Sequence, residues 1–451
     1  MYHLIQLWEE YLLNFSKTGK NKMMKILAIT RASWDNSNNV GNTLSNIFSG
    51  FNNTKFYNLY LRNDIPKESI CDDFYQITEN QILLSILSKV TCGRVIRKEI
   101  TDEKNNLEEV EQHMNSLVHQ LPFYFPWFVR EFIWGIGNWK NEELKRFLYD
   151  ASPDIIFMPV FPCWYTCKVL EFVHSVLPNA KIVLFHADDD YSYKHINFSP
   201  LFWLYRYIQR KWIRKITANA SLNYCISEQQ VEEYSRSLNC ECKLLQKGVD
   251  ITKIPENSVH THKDIIEFVY TGNLICGRWK TLAKLGDVIR KLNKEKIVAR
   301  LSIYSASLLT NKMKKSFNFD ESVVWKGRIP ASEVYAVQKE ADILVHAESL
   351  NYIEALEVRL SFSTKIIDYL AMNKCIMALG CAGIASIEYF KKYDNAIVAT
   401  NEEEIKNRMD DILKDKNILS VYAEKSRRSA IKLHDDRIIK ENFAEDIKNL
   451  L

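Results

Sequence analysis

Short apolar segments alternate with helical patterns along most of this chain of 451 residues. Apolar segments typical of buried strands occupy 25–30, 55–61, 153–158 and 181–186, and a helical pattern over 164–176 separates the last two. Two strands joined by a crossing helix usually pair in parallel. The alternation therefore predicts an α/β fold with doubly wound, Rossmann-like sheets.

The same pattern starts again in the second half. Residues 251–264 are polar and include Pro255, and a new strand is predicted from Ile265. The region 82–149 is predicted to be mostly helical. Further strands are predicted at 221–227, 243–246, 300–304, 323–326, 342–346, 375–379 and 396–399. The predicted domains are an amphipathic extension over 1–22, a Rossmann-like domain over 23–250, a linker over 251–264, a second Rossmann-like domain over 265–415 and C-terminal helices over 416–451.

Composition excludes several classes of protein. The 60 basic and 56 acidic residues nearly balance, which argues against a nucleic-acid-binding surface. The 10 cysteines contain no Cys-x-x-Cys pair, which favours buried free thiols in a reducing compartment and indicates no metal site. No apolar run reaches the roughly 18 residues of a spanning helix, and no signal peptide opens the chain. We therefore expect a soluble, cytoplasmic protein.

Three segments leave a choice between packing and another role. Residues 201–218 form a helical pattern in which aromatic side chains alternate with Arg and Lys. Such a helix either packs with a solvated basic face or lies on an anionic membrane surface. The amphipathic segment 1–22 either lies on a membrane surface or a partner, or is a packing appendage or the product of a start codon assigned too early. The aromatic-rich segment 123–134 is typical of a core, with a lipophilic acceptor groove as the alternative.

Candidate site residues in the first half follow predicted strands. Gly41 and Asn42 open a helical pattern after the first strand, but one glycine falls short of a dinucleotide fingerprint, so NAD is not predicted. His186 and Asp188 follow the strand at 181–186, and the carboxyl ends of such strands face the ligand crevice. The alternatives are a hydrogen-bonded strand end for His186 and a solvated turn for the three aspartates at 188–190.

Phosphate-binding chemistry is concentrated in the second half. The strand from Ile265 leads into a segment with Gly272 and Gly277, which permit close backbone approach, and with Arg278, whose guanidinium suits phosphate oxygens. Further on, Ser363, Thr364 and Lys365 precede a short helical pattern that leads to a buried strand. Hydroxyls and a lysine at that place either cap the helix or form an anion site.

These motifs together resemble the family-4-like glycosyltransferases of the GT-B fold. They are Lys247 to Asp250, Gly272 to Leu274, Gly277-Arg278 and Tyr369 to Ile376. The resemblance extends over nearly all of the chain after Met24. It implies two Rossmann-like domains that face a central crevice, with a nucleotide-sugar donor on the second and a glycan or lipid-linked acceptor on the first. It also implies retaining transfer without a metal or cofactor, in bacterial surface polysaccharide assembly.

The resemblance assigns roles to individual residues. Arg278 would contact the donor diphosphate, with Lys280 or Lys284 sharing that task, and Asp368 would hold the ribose hydroxyls. The implied donor-binding residues are Gly272, Asn273, Arg278, Lys280, Ser363, Thr364, Lys365 and Asp368. The implied acceptor-side residues are Gly41, Asn42 and Asp188, and His186 is the implied catalytic residue, near the acceptor hydroxyl or the transferred sugar.

One departure from the family pattern leaves alternatives open. The acid expected eight residues before Asp368 is Leu360. Glu348, Glu354 and Glu357 are the candidates to replace it. The leading prediction is a cytoplasmic glycosyltransferase, with possible contact to the inner membrane face. The alternatives are a nonenzymatic GT-B protein that binds nucleotide or glycan, and a nucleotide-sugar epimerase.

Overall fold

A computed structural model describes part of the chain in detail. The described residues are 23–87, 91–96, 124–256 and 264–451. The predicted amphipathic helix over 1–22 lies outside them, as do residues 257–263 of the predicted linker and Phe123 of the aromatic-rich segment.

The described residues form strands and helices in regular alternation. The strands are β1 (Met24–Thr30), β2 (Thr54–Tyr60), β3 (Asp73–Gln76), β4 (Arg94–Ile96), β5 (Ile155–Pro159), β6 (Lys181–His186), β7 (Leu222–Cys225), β8 (Cys242–Leu244), β9 (Ile266–Thr271), β10 (Ala299–Tyr304), β11 (Val323–Gly327), β12 (Ile343–Ala347), β13 (Cys375–Leu379) and β14 (Ile397–Ala399). The helices are α1 (Asn39–Phe48), α2 (Glu79–Leu87), α3 (Phe125–Ile136), α4 (Glu142–Ala151), α5 (Trp164–Val176), α6 (Pro200–Asn219), α7 (Glu228–Leu238), α8 (Arg278–Leu292), α9 (Asn311–Phe317), α10 (Ala331–Glu340), α11 (Tyr352–Ala355), α12 (Lys365–Ala371), α13 (Ala385–Tyr393), α14 (Glu402–Lys414), α15 (Asn417–Leu433) and α16 (Asp436–Lys448).

The strands form two sheets. The first has the order β4-β3-β2-β1-β5-β6-β7-β8, and the second has the order β11-β10-β9-β12-β13-β14. Every neighbouring pair in the second sheet is parallel. In the first sheet β3 and β4 pair antiparallel, whereas β1 pairs in parallel with both β2 and β5. The predicted doubly wound α/β fold is therefore confirmed.

Most strand predictions agree with the structure to within two residues at each end. The prediction that 82–149 is mostly helical is wrong at β4, and β3 was not predicted. Both strands are short, and the four residues of β3 begin and end with polar side chains, so neither produces a clear apolar run. Short edge strands are set by pairing with their neighbours rather than by local pattern.

The core of the second sheet lies between buried strands and the helices that cross them. All residues of β12 and β13 are buried, as expected for parallel strands covered on both faces. Apolar side chains of α8, including Leu282, Leu285 and Ile289, pack in the same cluster as β9 and β10. This packing fixes where α8 begins, and therefore where Arg278 lies.

Contacts divide the described chain into two compact units. One contains the described residues of 1–158, 168–183 and 450–451, and the other contains 159–167 and 184–449. The predicted domain boundaries stay a prediction. In the second unit, α16 packs on β7, since Tyr224 donates a hydrogen bond to Asp446 at 2.7 Å and contacts Phe443. No helix within the described ranges is both long and apolar enough to span a membrane.

Candidate functional site

The strand order of the second sheet reverses at β9. β10 and β11 extend from one side of β9, and β12, β13 and β14 extend from the other. In open α/β sheets, ligands bind beyond the carboxyl ends of the strands at such a point. β9 ends before Gly272, and β12 ends before Glu348. Ligand binding is therefore expected around Gly272 and Glu348.

A buried carboxylate holds Arg278, the first residue of α8. Arg278 Nε donates to Glu348 Oε2 and Nη2 donates to Oε1, both at 2.9 Å. Its Nη1 donates to Asn273 Oδ1 at 2.6 Å. The side chain of Glu348 is only 5% exposed, so little solvent screens this pair. Two residues thus fix the orientation of Arg278: Asn273, a predicted donor-binding residue, and Glu348, a candidate for the missing acid.

A tight turn places α8 at the end of β9. Cys276 and Gly277 both have positive φ, at 52° and 77°. Gly277 is required there, since a Cβ would overlap the Glu354 carboxylate and the Ser349 hydroxyl. Lys280 forms an ion pair with the same Glu354 carboxylate. Lys280 therefore has a carboxylate partner of its own.

Lys365 approaches the end of β9 from α12. Its Nζ donates to the Thr271 carbonyl oxygen at 3.1 Å, and a Cβ on Gly272 would lie 2.6 Å from this Nζ. Burial, followed by the positive charge of Arg278, lowers the pKa of Lys365 to about 8. Two basic side chains therefore share the space beyond β9, and one of them titrates close to neutral pH.

The prediction that Ser363 or Thr364 caps α12 through its side chain is wrong. Thr364 is the N-cap residue, but its backbone is helical (φ −58°, ψ −22°) and its side chain makes no capping hydrogen bond. Side-chain caps usually require an extended backbone at this position. The Ser363 carbonyl oxygen instead accepts from the Ile366 amide at 3.0 Å. The phosphate-binding role of these hydroxyls stays a prediction.

Asp368 and Leu360 have different environments. Asp368 Oδ1 lies 2.5 Å from Lys247 Nζ, and its side chain is 41% exposed. Leu360 is fully buried, and its carbonyl oxygen accepts from the Ser227 hydroxyl at 2.7 Å. A carboxylate at position 360 would therefore be placed in the core. The ion pair also joins Lys247, which begins the Lys-Gly-Val-Asp motif, to the residue that directly precedes the motif at Tyr369 to Ile376.

The three acids that are candidates to replace the one missing at position 360 have different partners. Glu348 binds Arg278, Glu354 binds Lys280, and Glu357 raises the pKa of the Cys276 thiol, although burial is the larger cause of that rise. Only Glu348 is both buried and bound to the arginine at the end of β9. Glu348 is thus the acid that belongs to this cluster.

His186 and Asp188 lie at the end of β6 but differ in exposure. His186 is 1% exposed, and burial lowers its pKa to about 4, so the imidazole is neutral at physiological pH. Its Nε2 has no hydrogen-bond partner among the described residues. Asp188 is exposed, and its Oδ1 accepts from the Ser361 hydroxyl at 2.6 Å. Asp188 is therefore linked to the segment that precedes α12, whereas His186 lies beneath the surface.

The interpretation of the three aspartates as a solvated turn holds for the exposed Asp188 but is wrong for Asp189 and Asp190, which are buried. The side chain of Asp189 is 0% exposed and lies 2.9 Å from Arg359 and 3.7 Å from Arg206. Arg359 also bonds to Glu233 at 2.7 Å. The two arginines make burial of the Asp189 charge possible. Sequence reasoning missed Arg359, although a charged residue between Val358 and Leu360 is a signal for a buried ion pair.

Gly41 and Asn42 lie in the first turn of α1, after β1. The Asn38 side chain accepts from the Gly41 amide at 2.8 Å and caps this helix. A Cβ on Gly41 would overlap the backbone of Asp35, so the glycine allows the loop to approach the helix. Both residues belong to the first compact unit. Their acceptor-side role stays a prediction.

Comparisons with known proteins agree with this arrangement. Residues 266–415 match the family model described as Glycosyl transferases group 1. This range contains β9 to β14 and the Arg278 cluster. A search of curated protein sequences gives no match.

Several solved structures have a similar fold. HepE from Anabaena, in complex with UDP and glucose, has a TM-score of 0.60 at 12% identity, covering 94% of this chain and 100% of HepE. Sucrose-phosphate synthase from Thermosynechococcus elongatus has a TM-score of 0.60 at 12% identity, covering 94% of this chain and 99% of that one. WaaG, a glycosyltransferase involved in lipopolysaccharide biosynthesis, has a TM-score of 0.54 at 12% identity, with coverage of 94% and 99%. The predicted GT-B fold is confirmed, whereas the family-4-like assignment stays a prediction.

Proposed function

We propose that this protein is a glycosyltransferase that moves a sugar from a nucleotide-diphosphate sugar to a glycan or lipid-linked acceptor. The observation that carries the proposal is the pair of basic side chains, Arg278 and Lys365, beyond the end of β9 in the matched domain. HepE, which has a similar fold, binds UDP and glucose. A donor diphosphate is the ligand that suits two basic groups at this position of the sheet.

The cluster can assist departure of the nucleotide. When the bond between the anomeric carbon and the diphosphate oxygen breaks, negative charge grows on the diphosphate. Arg278 and Lys365 stabilise this charge from fixed positions, because Glu348 orients the arginine and the Thr271 carbonyl orients the lysine. We infer that these two basic groups take the part that a divalent metal has in other transferases, so no metal or cofactor is required.

The remaining donor contacts follow from the same arrangement. Asp368 is partly exposed and has acceptor oxygens for the ribose hydroxyls, with Lys247 fixing its orientation. Ser363 and Thr364 offer hydroxyls in front of α12 for phosphate oxygens. We propose family-4-like chemistry with retention of configuration, in surface polysaccharide assembly. This part of the proposal rests on the resemblance.

The first half of the chain is the proposed acceptor side. Gly41 and Asn42 follow β1, and Asp188 follows β6, and the carboxyl ends of such strands are where ligands bind. Asp188 is exposed and can hydrogen-bond an acceptor hydroxyl. His186 is buried and neutral, so in this proposal it supports the loop that carries Asp188.

We also propose peripheral contact with an anionic membrane through α6. The exposed side chains just before α6 and in its first half include Phe198 at 98%, Leu204 at 49% and Tyr207 at 47% exposure. Lys211 and Lys215 are exposed further along, and α6 contains no acidic residue. Apolar side chains beside lysines suit an anionic bilayer surface. We propose that this contact is with the inner membrane face, in the cytoplasm.

Product analysis with UDP-, GDP- and dTDP-sugars tests the proposed activity. Transfer to an acceptor supports a glycosyltransferase, and sugar isomerisation would identify an epimerase instead. Tight nucleotide binding without turnover would favour a nonenzymatic GT-B protein. The buried Leu360 is the observation that favours this second candidate, because it removes one acid of the family pattern.

A further inference from the structure

A cavity of ≈ 520 Å³ lies in the second compact unit, apart from the Arg278 cluster. It is bordered by the start of α7, by α13 and by the end of α15. Its volume falls within the range of small-molecule sites, which is about 300–1,000 Å³. Neither the resemblance nor the proposed donor contacts use this cavity.

Aromatic rings form one wall of the cavity. Phe362, Tyr389 and Tyr393 all line it. The ring centroids of Phe362 and Tyr389 are 5.0 Å apart, and those of Tyr389 and Tyr393 are 4.9 Å apart. Electron-rich ring faces attract the weakly positive C–H groups of a pyranose ring. The wall therefore suits the apolar face of a sugar.

Charged groups around the cavity are paired with one another. Lys392 Nζ lies 2.6 Å from Glu228 Oε2, and Lys391 Nζ lies 3.2 Å from Glu388 Oε1. The two carboxylates and two lysines cancel, so the cavity has no excess charge of either sign. An ionic ligand such as a nucleotide therefore gains little electrostatic free energy on binding here. Hydroxyl groups, in contrast, can hydrogen-bond to both the lysines and the carboxylates.

Two buried polar atoms at the cavity lack hydrogen-bond partners in the described part of the chain. They are Gln229 Oε1 and His434 Nδ1. His434 is 2% exposed, and its Nε2 lies 2.7 Å from the Tyr389 hydroxyl oxygen. An unpartnered buried polar atom costs about 1–3 kcal/mol, so such atoms normally have a ligand or water. Both atoms belong to side chains that line this cavity.

From the aromatic wall, the balanced charge and the unpartnered atoms, we propose that this cavity is a second saccharide site, which binds an uncharged glycan segment. Tyr393 and Gln229 are partly exposed, so the sugar stacks on the Tyr393 ring and its hydroxyls bond to Gln229 and to the paired charges of Glu228 and Lys392. Tyr389 and His434 are buried behind them and support the Tyr393 ring. The site does not depend on the donor diphosphate or on the proposed transferase activity.

The cavity is connected to the donor cluster by a short segment. Phe362 lines the cavity, and Lys365, three residues later, is bonded to the end of β9. Between them, Ser363 and Thr364 are proposed phosphate contacts. A saccharide packed on Phe362 therefore holds the segment from which the donor contacts arise. We expect saccharide binding to strengthen nucleotide binding modestly, by about two- to fivefold.

The test is saturation-transfer NMR and calorimetry on the full chain with saturating UDP present. The probes are maltotriose, mannotriose and triacetylchitotriose, which are neutral trisaccharides. At least one is expected to bind while UDP occupies the donor site. Tyr393→Ala and Gln229→Ala should each weaken its binding about tenfold, and Tyr393→Phe should retain most of it. Tyr335→Ala removes an exposed tyrosine outside the cavity and should have no effect.

Three results would overturn the proposal of a saccharide site. Binding of none of the three trisaccharides overturns the proposal, as does displacement of the trisaccharide by UDP, which would place it in the donor site. Equal binding by wild type and Tyr393→Ala, with both folded by circular dichroism, overturns it too. UDP affinity measured without saccharide tests the proposed donor site independently of the saccharide site. Loss of UDP binding with the saccharide still bound would contradict only the donor site.

Discussion

The guanidinium of Arg278 and the carboxylate of Glu348 form a bidentate ion pair, with two N···O distances of 2.9 Å. Glu348 is 3% exposed, and burial raises its pKa while Arg278 opposes that rise. The arginine proposed to bind the donor diphosphate is thus already partnered before the donor arrives. Glu348 orients Arg278 but also offsets part of its positive charge.

Glu348→Gln is expected to tighten UDP binding. Glutamine keeps the size and one acceptor oxygen but removes the negative charge that competes with the diphosphate. The expected gain is about 1 kcal/mol, or roughly fivefold in Kd by calorimetry. Glu333→Gln changes an exposed acid of α10 in the same matched range and is the matched control, with Kd expected to stay unchanged. Weaker UDP binding by Glu348→Gln would show that orientation of Arg278 outweighs the competition.

Arg278→Ala and Lys365→Ala should each weaken UDP binding. Each change removes a charged hydrogen-bond donor from the diphosphate site, for an expected loss of roughly 1.5–3 kcal/mol. Titration calorimetry gives the values directly. Lys339→Ala removes an exposed lysine of α10 in the same matched range and should leave Kd unchanged. Unchanged affinity in both site variants would contradict the donor-site assignment.

UDP affinity should fall as pH rises through about 8. The pKa of Lys365 is lowered from 10.5 to about 8, so the lysine is charged below this value and loses its proton above it. A bound diphosphate favours the charged form, so binding weakens from about pH 8 up to the higher pKa of the complex. Lys365→Arg should abolish this dependence because arginine stays charged. An identical pH profile in wild type and Lys365→Arg would rule out Lys365 as its source.

Leu360→Glu should destabilise the protein without restoring a family-like acid. The side chain at 360 is fully buried, so a carboxylate there is either ionised without a partner or protonated. We expect a loss of about 3 kcal/mol or more in the free energy of unfolding, measured by urea denaturation, and no gain in transfer rate. Leu360→Met is the matched control and should cost less than about 1.5 kcal/mol. Faster sugar transfer by Leu360→Glu would mean that this position reaches the donor.

Flotation with vesicles tests the membrane contact of α6. We expect the protein to float with vesicles of phosphatidylglycerol and phosphatidylcholine at low salt, and to remain unbound with phosphatidylcholine alone. The double variant Lys211→Glu, Lys215→Glu should lose binding, because it reverses two charges that face outward. Lys339→Glu changes an exposed lysine elsewhere and should still float. No flotation of the wild type at low salt would end the proposal.

The fold was predictable because buried strands and helices leave strong local patterns. β13 is apolar along its whole length and β12 is apolar except at His346, and their bounds were predicted to within one residue. β4 was not predictable, since its three residues depend on pairing with β3. Local periodicity contains no information about such nonlocal pairing.

The site was predictable in its basic residues but not in their partners. Arg278 and Lys365 were recognisable from their place after a strand and before a helix. Their pairing with Glu348 and Thr271 depends on how β9 and β12 lie beside each other, and those strands are far apart in the chain. Arg359 and Asp189 are 170 positions apart. Such partners are found only after the sheet order is known.

The packing of α16 on β7 affects how the chain is made. Tyr224 and Asp446 are hydrogen-bonded although 222 positions separate them, and Lys243 reaches the same carboxylate at 2.6 Å. During synthesis, β7 and β8 leave the ribosome long before their covering helix exists. Part of the apolar surface of Tyr224 therefore stays uncovered until α16 has been synthesised. We therefore expect chaperones to bind this nascent surface until α16 has been synthesised, and chains cut before α16 to fold poorly.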